Sequence, residues 1–119
     1  GQNNGVIVNF EKNISKNKPL IIFGDGKAIR DFIHIDDVID GIILSIESES
    51  GICNIASGNG TSINNLAKLL IQLSGKNSEI IYKSARMGEI IYSVADIIKS
   101  EKELGFSPKI SLNTGLSLL

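Results

Sequence analysis

The sequence predicts a small α/β or α+β domain. Segments with apolar residues at helical spacing alternate along the chain with short apolar runs that are typical of strands. The chain has 119 residues, of which 42% are apolar and 21% charged, a composition typical of a globular protein with a hydrophobic core. No internal repeat or low-complexity tract divides it, so we treat residues 1–119 as a single lobe.

The first third of the chain is predicted to form one helix followed by two strands. Apolar residues recur every three or four positions over about residues 5–17, which favours a helix, and Pro19 ends it. The apolar run at 20–23 and the segment 29–35 are predicted strands. The sequence Gly24-Asp25-Gly26 between them is typical of a tight turn.

An amphipathic helix is predicted to follow. Asp36 or Asp37 is expected to cap its amino terminus, and the helix should run to about Ser48. Helical spacing predicts a buried apolar stripe made of Val38, Ile39, Ile42, Ile43 and Ile46.

The rest of the chain continues the alternation of strands and helices. Apolar runs predict strands at 52–56 and 79–83. The clearest helix begins at Thr61 or Ser62 and ends before Gly75, a glycine placed as in a left-handed helix cap. A last helix is predicted from Asp96 to the Leu104-Gly105 pair.

Charge and cysteine content exclude several classes of function. Twelve Lys and Arg against 13 Asp and Glu give a net charge of −1, whereas nucleic-acid-binding domains normally carry a basic excess. No apolar run is long enough to span a membrane, and the first 20 residues do not resemble a secretory signal. Cys53 is the only cysteine, which rules out an internal disulfide and indicates a cytoplasmic protein.

Two apparent motifs lack the residues that their function would require. Gly24-Asp25-Gly26-Lys27 suggests a phosphate-binding loop, but it lacks the spacing and the Ser or Thr that such a loop requires. His34 has Asp36 and Asp37 nearby, but no nucleophile is evident, and a single His without a Cys pair makes a poor metal site. We therefore expect no catalysis by this cluster and no metal ligand in this chain.

The two arginines are better candidates for function. Lys serves at every other basic position, whereas Arg30 and Arg86 offer a planar fork of donors that fits phosphate. Arg86-Met87-Gly88-Glu89 follows a predicted strand, and an Arg for phosphate with a Glu for ribose hydroxyls suits a nucleoside diphosphate. Ordinary ion pairs in a solvated loop or a core would explain the same residues.

Three ordered segments resemble the carboxyl-terminal half of NAD-dependent nucleotide-sugar epimerases and dehydratases, the extended short-chain dehydrogenases. UDP-glucose 4-epimerases are the most similar members. The first segment contains Pro19-Leu20-Ile21-Ile22-Phe23-Gly24-Asp25-Gly26 and Arg30-Asp31-Phe32-Ile33-His34-Ile35-Asp36-Asp37-Val38. The second runs from Asn54-Ile55-Ala56-Ser57-Gly58 to Thr61-Ser62-Ile63-Asn64-Asn65-Leu66-Ala67. The third contains Ala85-Arg86-Met87-Gly88-Glu89, Ser93-Val94-Ala95-Asp96 and Glu103-Leu104-Gly105-Phe106-Ser107-Pro108.

The resemblance implies a lobe that binds a UDP-sugar or a dTDP-sugar. By analogy, Arg30 and Arg86 would clamp the diphosphate, and Glu89 would bind the ribose hydroxyls. Ile21, Ile22 and Phe23 would pass under the base, partly through backbone groups, and Asn4 is a further candidate for the phosphate or the sugar. Met87 stands where the family usually has proline, so this loop lacks the rigidity that a proline would give it.

The resemblance also implies that the chemistry lies outside this chain. The family uses a Gly-rich NAD loop and a Tyr-x-x-x-Lys pair, which it places upstream. Here Tyr82 is followed four residues later by Arg86, and Tyr92 by Asp96. The chain alone is therefore expected to be inactive, as part of a 4-epimerase. A 4,6-dehydratase lobe and a stand-alone non-catalytic binding module remain alternatives.

The implied fold is a fragment of an extended short-chain dehydrogenase that lacks most of the Rossmann sheet. Residues 36–56 would pack against the absent NAD-binding domain. Because an apolar face would otherwise be exposed, we expect the isolated chain to self-associate and the protein to be a homo-oligomer.

Overall fold

The computed structural model describes residues 5–46, 55–88 and 91–118. Helices and short strands are interspersed along these residues, which confirms the predicted α/β class. In chain order they are α1 (Val6–Ser15), β1 (Leu20–Phe23), β2 (Ile29–Asp31), α2 (Ile35–Ile46), β3 (Gly60–Ser62), α3 (Ile63–Ser74), β4 (Ile80–Lys83), β5 (Tyr92–Ser93), α4 (Ile98–Leu104) and α5 (Leu112–Ser117).

The described residues divide into two compact units. The first unit draws on segments 1–29 and 61–92, and the second on segments 30–60 and 93–119. Strands β1 and β4 form a two-stranded sheet, and β3, β2 and β5 form a three-stranded sheet with β2 in the middle. Packing of residues 36–56 against a further domain stays a prediction.

The core of the first unit lies between a parallel strand pair and two helices. β1 pairs with β4 in a register that runs from Leu20 opposite Ile80 to Phe23 opposite Lys83. Helices α1 and α3 contact β1 and each other. The apolar side chains buried here are Phe10, Ile14, Leu20, Ile22, Leu66, Ala67 and Leu70.

Helix α3 has the ends that its sequence predicts. The Ser62 hydroxyl accepts a hydrogen bond from the Asn65 N–H at 3.1 Å, as an N-cap does. Gly75 adopts the left-handed conformation with φ 71° and ends the helix. Both signals are local, so the prediction did not depend on tertiary packing.

One residue, Asn64, joins the turn after β1 to α3 through both its backbone and its side chain. The Asn64 N–H donates to the Gly26 carbonyl at 2.9 Å, and its side-chain amide donates to the Asp25 carbonyl at 3.0 Å. The Tyr82 hydroxyl, on β4, donates in turn to Asn64 Oδ1 at 2.7 Å. Asn64 thereby connects the turn, α3 and β4.

Replacing Gly26 with alanine is expected to destabilise the chain more than replacing Gly75. Gly26 has φ 73° and Gly75 has φ 71°, so both variants carry the same backbone strain of about 1 kcal/mol. A Cβ at Gly26 would also lie 2.0 Å from Asn64 Oδ1, whereas a Cβ at Gly75 meets nothing within 4 Å. Urea unfolding of the two variants measures the difference, and equal losses would contradict the close approach.

In the second unit, strand β2 is shorter than predicted and α2 begins earlier. The strand predicted at 29–35 ends at Asp31, because α2 already starts at Ile35. The His34 carbonyl accepts the Val38 N–H at 3.1 Å, and its Nδ1 accepts the Asp36 N–H at 3.0 Å. The prediction that Asp36 or Asp37 caps this helix was therefore wrong, because His34 takes that position.

Asp37 is instead a buried anchor for a distant segment. Its side chain is 2% exposed. Its Oδ1 accepts the Lys109 N–H and its Oδ2 accepts the Ile110 N–H, both at 3.0 Å. The carboxylate ties the first turn of α2 to the chain that precedes α5.

The isoleucine stripe of α2 was predicted to be buried, but it is largely exposed. Ile39, Ile42 and Ile43 are about half exposed, and Ile46 is 78% exposed. The buried positions of α2 are Asp37 and Gly41. A Cβ at Gly41 would lie 2.7 Å from the Ile55 side chain, so the helix packs here through its small residue.

Three elements were not predicted, and one prediction was only partly testable. Strands β3 and β5 and helix α5 are each six residues or shorter.

Helix α4 ends at Leu104 and is capped by Gly105, as predicted. At its amino end, Asp96 Oδ1 accepts the Ile98 N–H at 2.9 Å. Residues 52–54 of the strand predicted at 52–56 lie outside the described residues, and Ile55 and Ala56 are not in a strand.

Candidate functional site

The candidate site in the first unit lies where two parallel strands end. Phe23 is the last residue of β1 and pairs with Lys83, the last residue of β4. The Gly24 N–H donates to the Lys83 carbonyl at 2.8 Å, which extends the pairing by one residue. The carboxyl ends of parallel strands share one edge of a sheet, where α/β proteins commonly bind ligands. Arg86 follows this edge by three residues.

Arg86 stacks on the Phe23 ring. Its guanidinium carbon lies 3.8 Å from the ring centroid, well within the range of a cation–π interaction. Arg86 is exposed, whereas Phe23 is half-buried. The structure therefore brings two of the predicted site residues together, from strands whose paired residues are 60 positions apart.

The faces of β1 assign different roles to its three candidate residues. Leu20 and Ile22 are buried on one face, while Ile21 and Phe23 are half-buried on the other. Ile22 is 2% exposed, so its side chain belongs to the core. Any contact of Ile22 with a ligand would have to use its backbone.

The remaining predicted residues lie elsewhere. Arg30 is half-buried in β2 and belongs to the second unit. Asn4 and Glu89 lie outside the described residues.

The residue after Arg30 holds a network that the sequence did not reveal. Asp31 Oδ1 accepts the Ser57 N–H at 2.9 Å and also the Ser57 hydroxyl. Its Oδ2 accepts the Gly58 N–H at 2.8 Å and, more weakly, the Ala95 N–H at 3.4 Å. One carboxylate thus fixes β2 to two separate loops, and it constrains the backbone that carries Arg30. No spacing in the sequence links positions 31, 57 and 95.

His34 and its acidic neighbours do not form a ligand set. Besides capping α2, the His34 Nδ1 lies 3.8 Å from Asp36 Oδ2, and Asp37 is occupied by backbone N–H groups. Among the described residues, no group of three or more His, Cys, Asp or Glu side chains is arranged to hold a metal ion. The described part of the chain also contains no helix with both the length and the apolar character needed to cross a membrane.

Comparison with known proteins identifies the family. Residues 1–56 match the NAD dependent epimerase/dehydratase family. A putative UDP-glucose 4-epimerase of Methanocaldococcus jannaschii is 38% identical over 112 residues, which make up 94% of this chain and 36% of that protein. The chain belongs to the NAD-dependent epimerase/dehydratase family.

Solved structures of epimerases have the same fold over nearly the whole chain. UDP-glucose 4-epimerase of Thermotoga maritima, solved with UDP-glucose, is 37% identical with a TM-score of 0.92 over 96% of this chain. UDP-glucuronic acid 4-epimerase of Bacillus cereus, solved with UDP-glucuronic acid and NAD, is 34% identical with a TM-score of 0.88 over 95% of this chain. Each match covers 37% of the solved chain, so this chain spans about a third of the length of its relatives.

The family depends on NAD, but the residues of this chain do not fit the cofactor's pyrophosphate. A dinucleotide site needs Gly-x-Gly-x-x-Gly between a strand and a helix, and the sequence contains no such motif. The glycine turn at 24–26 leads from β1 to another strand, β2. The space beside Gly26 is filled by the Asn64 side chain. An NAD site of the family therefore requires residues other than these.

Proposed function

We propose that this chain is the carboxyl-terminal, substrate-binding part of an NAD-dependent sugar-nucleotide 4-epimerase and that it binds a UDP-sugar. The observation that carries the proposal is the exposed guanidinium of Arg86 on Phe23, at the carboxyl edge of β1 and β4. The three relatives described above, all 4-epimerases by name, support the reaction class.

Each candidate residue has a role in this proposal. Arg30 and Arg86 bind the diphosphate, because a guanidinium presents paired donors to phosphate oxygens. Glu89 accepts hydrogen bonds from the ribose hydroxyls, and Asn4 contributes to phosphate or sugar binding. Ile21, Ile22 and Phe23 lie beneath the base, Ile22 through its backbone.

In this proposal, this chain binds the sugar nucleotide, and other residues carry out the epimerisation. Hydride transfer is the chemistry that NAD would supply in this family, at a site formed by residues other than those of this chain. This chain's residues would hold the diphosphate and the nucleoside, so that the sugar is presented in one orientation. We expect no epimerase turnover from the 119-residue chain alone, because it lacks a Tyr-x-x-x-Lys pair.

Replacing Arg86 with alanine is expected to weaken UDP binding by about 1.5–3 kcal/mol, or roughly 10- to 150-fold in Kd. The variant loses charge-assisted hydrogen bonds to phosphate, and isothermal titration calorimetry of the chain with UDP measures the change. Lys83→Ala is the matched control, because Lys83 is an exposed cation at the same strand edge. It should change the affinity little.

Two further variants sharpen the test. Arg86→Lys keeps the charge but not the planar fork, so its affinity should fall between those of the wild type and Arg86→Ala. Unchanged UDP affinity in both Arg30→Ala and Arg86→Ala would refute the proposed diphosphate site.

A further inference from the structure

The contact between Arg86 and Phe23 joins a ring on a paired strand to an exposed side chain. Phe23 is held by backbone pairing on β1, and its ring is half-buried. Arg86 lies beyond the end of β4 in an exposed stretch, where the whole segment 83–88 is exposed. An exposed arginine samples many rotamers, and ligand binding must overcome that freedom.

The stacked geometry leaves the donors of the guanidinium available. The guanidinium carbon is only 3.8 Å from the ring centroid, which fits a face-to-face contact, since an edge-on guanidinium would press its N–H groups into the ring. In a face-to-face contact the N–H groups lie in the guanidinium plane and point away from its centre. The ring can therefore restrain Arg86 while the same group donates to phosphate oxygens. Stacking and phosphate binding do not compete for the same atoms.

We propose that Phe23 is a positioning residue, whose ring holds the Arg86 guanidinium at the carboxyl edge of β1 and β4 before the diphosphate of the ligand arrives. The inference rests on the proposed function, in which Arg86 binds the diphosphate. It adds a role that is distinct from any contact of Phe23 with the base. The ring raises affinity by restricting Arg86 in advance.

Inorganic pyrophosphate separates this role from base contact, because it has neither base nor ribose. Phe23→Leu removes the ring but keeps an apolar side chain of similar size, and Phe23→Tyr keeps a ring. We expect Phe23→Leu to weaken pyrophosphate binding about two- to five-fold, the range of an exposed cation–π contact, and Phe23→Tyr to retain wild-type affinity. In the Arg86→Ala background, Phe23→Leu should have no further effect on pyrophosphate.

A spectroscopic readout follows Arg86 directly in the unliganded chain. The Cδ protons of Arg86 should show an upfield ring-current shift in the NMR spectrum of the wild type and of Phe23→Tyr. Phe23→Leu should abolish that shift while the amide spectrum of α1 and α3 stays unchanged. A purely structural role for Phe23 would disturb the amide spectrum instead.

The outcomes distinguish the two levels of the argument. If Arg86→Ala weakens pyrophosphate binding and Phe23→Leu does not, the positioning role is wrong and the diphosphate site stands. The positioning role is also wrong if Phe23→Leu has the same effect with and without Arg86. If Arg86→Ala changes neither pyrophosphate nor UDP affinity, the diphosphate site and the positioning role both fail.

Discussion

Asp37→Ala is expected to lower the free energy of unfolding by about 2–4 kcal/mol, because it removes two hydrogen bonds to a buried carboxylate. The Lys109 and Ile110 N–H groups would lose their acceptor at a part-buried site. The segment that they anchor leads into α5, so the loss should loosen the second unit. Urea denaturation followed by circular dichroism measures it.

The neighbouring residue supplies the control. The Asp36 side chain is 68% exposed and lies in the same first turn of α2. Asp36→Ala should cost about 0.5 kcal/mol, the contribution of an exposed carboxylate near a helix amino terminus. Equal losses from the two variants would mean that Asp37 acts through helix charge alone and does not anchor the distant segment.

Asp31→Ala is expected to cost a similar amount, about 2–4 kcal/mol, because one carboxylate satisfies donors from two loops. The Ser57 N–H, the Ser57 hydroxyl, the Gly58 N–H and the Ala95 N–H all donate to Asp31. Amide hydrogen exchange at Ser57 and Gly58 should accelerate in the variant. These local rates identify the network more directly than global unfolding does.

Asp25 provides a matched comparison for Asp31. Asp25 is an exposed carboxylate whose Oδ1 accepts the Lys27 N–H at 2.9 Å within the same turn. Asp25→Ala should cost less than about 1 kcal/mol, because its donor can turn to water. If Asp31→Ala were as mild as Asp25→Ala, the two loops would be held by other contacts.

Elements with complete local signals were predicted well, and the others were not. Helix α3 has a serine at one end and a glycine at the other, and its predicted ends agree with the structure. Helix α5 has a comparable cap, since the Ser111 hydroxyl accepts the Thr114 N–H, but only six residues follow it. Strands of two or three residues, such as β5 and β3, are defined by their pairing partners and have no usable periodicity.

The spacing of apolar residues in α2 predicts amphipathicity but not what covers the apolar face. The isoleucines were expected to be buried, yet Gly41 and Asp37 occupy the buried face within the described chain. Asp37 looked like a helix cap because aspartate is common there. The N–H groups that donate to its carboxylate lie 72 and 73 positions away, which no local pattern reveals.

The site was predictable residue by residue but not as an arrangement. Arg86 and Phe23 were both candidates from the sequence, through the rarity of arginine and the family resemblance. Their contact depends on the parallel pairing of β1 and β4, which local sequence does not encode. Asp31 was missed because the groups that donate to it, at positions 57, 58 and 95, are distant in the sequence.

The parallel pairing of β1 and β4 also imposes a delay between the synthesis of β1 and the formation of its sheet. Leu20 pairs at the level of Ile80, so 60 residues separate the two strands. At about 5–20 residues per second, β1 waits roughly 3–12 seconds on the ribosome before its partner has been made. During that interval the backbone N–H and C=O groups of β1, a strand with apolar side chains, lack their β4 partners and can pair with other chains, so slow translation of this region should raise the demand for chaperones.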